Sequence, residues 1–342
     1  MKVDSSYIYI DSGILATINL IEMFDVKVSR ERIRSLFRQA CDGRGATIKE
    51  IRDVMLQVGI KPLLYKVEKL SDLCSQKNPF ITWRNIDADY TEFLCVLKVS
   101  EDEVAYINEY AVLAKEPLAA FEASWPNIIL LANPQTGIED PDEVDGEENK
   151  RSTFSKEIQV IDNFIDDQLC DRIVAYCIEH GLFNRSKVSL SDEVSSSYGG
   201  EVSAYRTSDT AKIIDFSELE GLEDLYTKIA AHLQVPLEYM ERFQCVRYTP
   251  RTFFSPHFDT GPEFKNPRRY TIIIYLNDDF TEGETCFPEL RLKIRPVKGR
   301  AVIFDNLGTG QEDINPLSLH AGLPVKEGNK YICTIWTRKE KL

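Results

Sequence analysis

One stretch decides how a chain of 342 residues can be divided. Ile138–Asn149 carries seven acidic residues, Glu139, Asp140, Asp142, Glu143, Asp145, Glu147 and Glu148, beside Pro141 and Gly146. Like charges repel, and a run with almost nothing apolar has nothing to bury. Residues 135–152 therefore read as an exposed acidic linker. A long surface loop inside one domain is the alternative. The linker is preferred because each flank holds elements of a different kind. Two domains follow, 1–134 and 153–342, in keeping with about 150 residues per domain.

The first domain opens with helices. Gly13–Phe24 sets Ile14, Leu15, Ile18, Ile21 and Met23 near helical spacing. Ser29 can cap Arg30–Ala40, and Thr47 can cap Ile48–Val58, which Gly59 stops. Strands are expected at Pro79–Trp83, Glu92–Val99, Val104–Tyr110 and Asn127–Ala132. Helices first and an antiparallel sheet after is an α+β layout. Beyond the linker, helices are expected from Asp166 or Asp167 to His180 and over Ser217–Leu233. Strands follow at Arg242–Tyr248, Arg269–Leu276, Leu292–Pro296, Ala301–Asp305 and Tyr331–Arg338, separated by turn residues. That is a sandwich or barrel signature. Ser186–Ala204, rich in Ser and Gly, reads as a mobile loop or lid.

Charge and composition exclude several function classes. Lysine plus arginine number 41 against 55 aspartates and glutamates, a net charge of −14. Such a surface repels phosphate backbones, so no nucleic-acid partner is expected. No apolar run reaches the ~18 residues of a membrane helix. The N-terminus lacks a basic segment followed by an apolar one, so no secretory signal is read. Eight cysteines are scattered without CxxC spacing and read as free thiols of a reducing, cytoplasmic compartment.

Histidine is scarce: His180, His232, His257 and His320. In His257-Phe258-Asp259, a strand's period of two would put both ligand side chains on one face. With His320, two imidazoles and one carboxylate would occupy one face of a metal and leave its other positions open, as in non-haem Fe(II) oxygenases. Alone, this spacing is weak, and His257 taken by itself is better read as a hydrogen-bonded surface residue. Lys330, ten residues after His320, adds a cation able to pair with the far carboxylate of a dicarboxylic co-substrate.

Residues 153–342 resemble the catalytic domain of the prolyl 4-hydroxylase group of 2-oxoglutarate/Fe(II) dioxygenases. The matching stretches occur in order: Tyr205-Arg206-Thr207-Ser208, Val246-Arg247-Tyr248, His257-Phe258-Asp259, Arg269–Asp279 with its Tyr-Leu-Asn, Gly283–Pro288, Pro296–Ala301, and His320–Lys330 leading to Trp336. The resemblance implies a double-stranded β-helix (jelly roll) with flanking helices. It implies Fe(II) on His257, Asp259 and His320, and 2-oxoglutarate held by Lys330 with help from the Tyr248 and Tyr275 hydroxyls. Arg206 would lie near the substrate, and Thr285 would support the site from behind. The implied reaction consumes O₂, releases succinate and CO₂ and hydroxylates a peptidyl residue such as proline, with ascorbate maintaining the iron. Tyr248 and Tyr275 can also be read as core aromatics, and Arg206 as a surface ion-pair partner. The sequence departs from the pattern at Thr249–Phe253 and at Phe254, where the family has a tyrosine three residues before the HxD histidine. These departures put substrate choice in doubt more than metal binding. Hydroxylation of a free amino acid, or a non-catalytic scaffold, are the alternative functions.

Residues 1–134 resemble the papain-like C39 peptidase domain that precedes some bacteriocin exporters. The pieces are Asp11-Ser12-Gly13, Gly45-Ala46-Thr47, Pro79–Trp83 and Glu92–Val96. Where that family has its catalytic cysteine this chain has Ser12, and where it has histidine this chain has Glu92. The first histidine anywhere is His180, so no thiolate–imidazole pair can form in this domain. The resemblance leaves two roles open: a module that binds peptide, such as the leader of a precursor, or a domain that only stabilises its neighbour.

Overall fold

A computed structural model describes residues 11–24, 26–41, 46–85, 91–134, 158–187, 202, 205–212, 219–262, 264–290, 292–308 and 313–342. The chain divides into two compact units, within 2–147 and within 148–342. The acidic run and most of the expected lid, Ser186–Ala204, lie outside the described residues.

In the first unit, the helix starts are fixed by the side chains that the sequence places there. Asp11 accepts from the Gly13 amide at the head of α1 (Ser12–Met23), and Ser29 accepts from the Arg32 amide at the head of α2 (Arg30–Ala40). Thr47 and Glu50 form a capping box at the start of α3 (Ile48–Gln57). The strands are β1 (Ile60–Lys66), β2 (Phe80–Asn85), β3 (Thr91–Val99), β4 (Glu103–Ile107), β5 (Leu113–Pro117) and β6 (Ile128–Pro134). They form one sheet in the order β1-β6-β2-β3-β4-β5, and every pairing is antiparallel. Alternation along β3 sends Phe93 and Cys95 to the helices and Leu94 and Val96 to a second apolar layer with Phe121 and Trp125. The sheet thus has two buried faces, an α+β architecture as expected.

Two strands escape a reading of the sequence. β1 contains Pro62, which suits only an edge strand, and β1 is an edge. β5 is the opposite edge and buries none of its side chains fully, so it carries no apolar pattern. The strand expected to run to Tyr110 ends at Ile107, because the Asn108 side chain accepts from the Tyr110 and Val112 amides and turns the chain.

The second unit holds the strands β7 (Ile158–Ile161), β8 (Asn184–Arg185), β9 (Asp209–Lys212), β10 (Gln244–Tyr248), β11 (Phe254–His257), β12 (Arg268–Tyr275), β13 (Thr281–Glu282), β14 (Thr285–Phe287), β15 (Leu292–Ile294), β16 (Ala301–Asp305), β17 (His320–Gly322), β18 (Val325–Glu327) and β19 (Lys330–Arg338). Seven form one sheet in the order β7-β16-β12-β19-β10-β9-β8. Four form a second, β11-β17-β14-β15, and β13 pairs with β18. Ile272 and Ile274 of β12, with Cys333 and Ile335 of β19, pack on the helices Asp167–Glu179 and Leu222–Leu233. The alternate residues Ile273, Tyr275 and Ile332 join Phe287 and Ile294 of the smaller sheet in a separate core. This is the two-sheet jelly roll with flanking helices that the resemblance implies. β12 reads as one continuous apolar run because both of its faces are covered.

Candidate metal centre

The smaller sheet brings the two distant histidines together. His257 ends β11, His320 begins β17, and the two are direct partners across that antiparallel pair. The 60 residues between Asp259 and His320 are thereby closed off by strand pairing. The ring centroids are 4.2 Å apart. Asp259, just past β11, lies between them: its Oδ1 is 3.5 Å from His257 Nε2 and its Oδ2 is 3.6 Å from His320 Nε2. One ligand atom from each residue falls within 4.8 Å of the others, and all three side chains are buried.

The tautomers follow from what each ring touches. His257 Nδ1 is 2.8 Å from the Ser255 carbonyl, and His320 Nδ1 is 2.9 Å from the Ser318 carbonyl. A carbonyl only accepts, so each Nδ1 carries the proton and each Nε2 is the ligating atom. Burial and the neighbouring His257 push His320 down to about 4, so its ring is neutral at physiological pH. Burial opposes ionisation of Asp259, but His320, His257 and Arg268 hold its carboxyl well below the usual carboxylate range. Two imidazoles and one anionic carboxylate on one side of a point suit a divalent iron with open positions.

Two residues that the sequence reading missed hold the carboxylate. Thr271 Oγ1 donates to Asp259 Oδ2 at 2.6 Å, and Asn306 Nδ2 donates to Thr271 Oγ1 at 2.8 Å. Thr271 shares the inner face of β12 with Ile273 and Tyr275. A hydroxyl at an inward position of an otherwise apolar strand was the available signal. Behind them Arg268 donates to the Asp259 carbonyl at 3.3 Å, and partly buried Glu241 is paired with both Arg268 and Arg338.

Lys330 opens β19 opposite Tyr248 of β10 and is 1% exposed. Its Nζ donates to the Gly283 carbonyl at 2.7 Å and lies over the Tyr248 and Tyr275 rings at 4.8 and 5.6 Å. Gly283 has φ +73°, and a Cβ there would meet Val325 at 3.0 Å, so the turn that aims this carbonyl calls for glycine. No carboxylate of the described residues forms a salt bridge with Lys330. Burial pushes the ammonium down to about 7, with only Glu284 opposing. A buried cation without an anion is costly, and an incoming carboxylate would relieve it.

The other expected site residues are engaged with protein. The Tyr275 hydroxyl donates to Thr285 Oγ1 at 2.6 Å, and Tyr248 is buried with its ring against Lys330. Arg206 is buried, with Nε, Nη1 and Nη2 donating to Ser208 Oγ, the Lys187 carbonyl and Thr210 Oγ1 at 3.2, 3.3 and 3.2 Å. In the first unit Ser12 is buried, and its Oγ accepts from the Phe93 amide at 3.0 Å. Glu92 forms a 2.6 Å ion pair with Arg84, which also reaches Glu116 at 3.0 Å.

A prediction arises from Lys330. Its pKa is about 7 before an anion arrives. A bound carboxylate favours the charged form, so binding takes up a proton above pH 7. Affinity for 2-oxoglutarate should therefore fall as pH rises above 7, at most about tenfold per pH unit. Titration calorimetry at pH 8.5 in two buffers of different ionisation enthalpy should show proton uptake. Equal apparent enthalpies in both would contradict it.

A buried two-histidine, one-carboxylate cluster in a jelly roll, with a lone ammonium on the facing sheet, defines the class of 2-oxoglutarate/Fe(II) oxygenases. The family described as the 2OG-Fe(II) oxygenase superfamily matches residues 243–338, and the Peptidase C39 family matches residues 9–137. Prolyl 4-hydroxylase 1 of Arabidopsis thaliana is 30% identical over 209 residues, covering 55% of this chain and 71% of that protein. A putative prolyl 4-hydroxylase of Acanthamoeba polyphaga mimivirus is 33% identical over 130 residues. That match covers 35% of this chain and about half, 54%, of the viral protein. The viral collagen prolyl hydroxylase of Paramecium bursaria Chlorella virus-1, solved with 2OG, is 28% identical, with a TM-score of 0.43 over 54% of this chain and 97% of that one. The chain belongs to the prolyl 4-hydroxylase family.

Proposed function

We propose that this chain hydroxylates a peptidyl residue, proline foremost, of a protein or precursor peptide. In this reading His257, Asp259 and His320 hold Fe(II), and Lys330 holds the distal carboxylate of 2-oxoglutarate. The observation that carries it is Lys330: a fully buried ammonium with no carboxylate partner among the described residues, on the inner face of the sheet opposite a buried two-histidine, one-carboxylate set. When bound, iron and 2-oxoglutarate supply the oxidation by O₂ that yields succinate, CO₂ and a hydroxylated carbon. The chain's own groups do the rest. Ser255 and Ser318 carbonyls fix the tautomers, Thr271 fixes the carboxylate, and Tyr248 and Tyr275 wall the ammonium. Phe287, Phe304 and Ile294 keep water from the inner face. Ascorbate is the proposed reductant that keeps the iron ferrous. All eight cysteines are free thiols, which supports a reducing, cytoplasmic setting. No helix among the described residues is long and apolar enough to cross a membrane.

The first unit is proposed to be a pseudo-peptidase that binds substrate, such as the leader of a precursor, away from the reacting residue. Support comes from Ser12 and Glu92. The hydroxyl at the nucleophile position is committed to a backbone amide, and the residue at the base position is an ion-paired carboxylate. Neither can serve as half of a thiolate–imidazole dyad. Ser12→Ala should leave turnover unchanged but strand the Phe93 amide, lowering the unit's stability by about 1–3 kcal/mol. Deleting residues 1–134 should raise KM for a long substrate while substrate-independent 2-oxoglutarate decarboxylation survives. Both variants are to be compared with the full chain by succinate release and thermal melting. Equal KM for long and short substrates after deletion would leave the unit only a structural role.

A further inference from the structure

The Arg206-Thr207-Ser208 segment runs beside the strand that carries the first histidine. Arg206 forms an antiparallel bridge with Phe254, the Ser255 amide donates to the Tyr205 carbonyl at 2.8 Å, and the Thr207 amide donates to the Phe253 carbonyl at 2.9 Å. Thr207 Oγ1 accepts from the Phe253 amide at 2.7 Å as well. Residues 205–207 therefore act as a splint on β11.

The side chains continue this arrangement. The Phe254 ring stacks on the His257 imidazole with centroids 3.5 Å apart and planes 15° from parallel. The Arg206 guanidinium carbon lies 4.7 Å from the centre of the same Phe254 ring. Arg206 is itself fixed by its bonds to Ser208, Lys187 and Thr210, and it is only 9% exposed. An arginine whose nitrogens are all engaged with protein is poorly placed to grip a peptide. It is well placed to brace a ring.

We propose that Arg206 and Phe254 are positioning residues for the metal, a stack that holds the His257 imidazole in the plane that lets Nε2 face Asp259 and His320. The proposal rests on the reading of His257 as a ligand. The Ser255 carbonyl fixes one in-plane direction of the imidazole through Nδ1, but a bond at Nδ1 does not by itself fix the ring plane. The Phe254 face removes that motion, and the buried cation against Phe254 keeps that ring from sliding away. The aromatic ring at this position thus has a function of its own, because it lies flat on the histidine. Pre-orienting a ligand in this way affects metal retention before any substrate is present.

The test is Fe(II) affinity of the full-length apoprotein, measured anaerobically by titration calorimetry without 2-oxoglutarate or peptide. Phe254→Leu and Arg206→Ala should each weaken Fe(II) binding by about 10–100-fold, the range for residues that orient a ligand. Phe254→Tyr, which keeps the stacked ring, should stay within about threefold of the parent, a margin of about 0.6 kcal/mol. Melting curves check that each variant folds. If Arg206→Ala does not, the Leu and Tyr pair at 254 still decides. Unchanged Fe(II) affinity in Phe254→Leu, with only the peptide KM raised, would overturn the stack and return this segment to substrate binding. His257→Ala is the control. If it binds Fe(II) like the parent, the ligand assignment itself fails, an outcome distinct from failure of the stack.

Discussion

His257→Ala or His320→Ala is expected to abolish hydroxylation and to lower Fe(II) affinity by more than the about 10–100-fold that loss of a supporting residue costs. Each substitution takes one ligand from three, and the described residues offer no further histidine, cysteine or acidic side chain in that cluster. The fold should survive, because each ring occupies the end of a short strand and the main cores lie elsewhere. Removing Asp259 should be more damaging to folding. Its loss would leave Thr271 Oγ1 without its acceptor and the two imidazoles without the carboxylate between them. Fe(II) titration and circular dichroism on the same preparations separate the two effects. Near-normal metal affinity in either histidine variant would contradict the assignment.

The second large effect belongs to Lys330. Lys330→Met keeps the volume but removes the charge that meets the co-substrate. Stranding one partner of a buried ion pair costs about 3–5 kcal/mol, so the 2-oxoglutarate requirement should rise by about two to four orders of magnitude. The apoprotein should respond in the opposite direction. Burial depresses the Lys330 pKa to about 7 from an ordinary 10.5. The folded state then binds fewer protons than the unfolded state between these values, so the lysine destabilises the apoprotein as pH falls through that window. Lys330→Met should therefore melt at the same or a higher temperature than the parent at neutral pH, while binding 2-oxoglutarate poorly. Lys330→Arg should also bind poorly, since a planar fork does not fit a space built for a compact ammonium. A lower melting temperature with intact 2-oxoglutarate binding would make Lys330 a structural residue.

Most of the site was legible because chemistry limits its choices. Four histidines in the chain leave few candidate sets, and His257, Asp259 and His320 fall within one cluster, while Lys330 lies against Tyr248 and Tyr275. The supporting residues were harder to see. Thr271 and Asn306 are ordinary residues whose role depends on β12 facing inward and on the contact of strand β16's end with it. The Phe254 stack depends on ring planes that no spacing encodes. Arg206 looked like a surface or substrate residue, because nothing in the sequence shows that Ser208, Lys187 and Thr210 enclose it. In the first unit, the helix starts were readable from Ser29 and Thr47, whereas edge strands β1 and β5 were not, since an edge needs no apolar alternation. At Ser12 the sequence shows only that the nucleophile position holds a hydroxyl. Its bond to Phe93 makes it a structural acceptor, which changes what its removal should do.

The most direct test is to incubate the full chain with Fe(II), 2-oxoglutarate, ascorbate and ¹⁸O₂ in the presence of a proline-containing peptide, and to follow peptide mass and succinate together. The account predicts that the peptide gains one heavy oxygen atom on a single residue, that succinate appears in step with it, and that both signals vanish in His257→Ala. Failure to form succinate from 2-oxoglutarate, with Fe(II) bound and the protein folded, would contradict it.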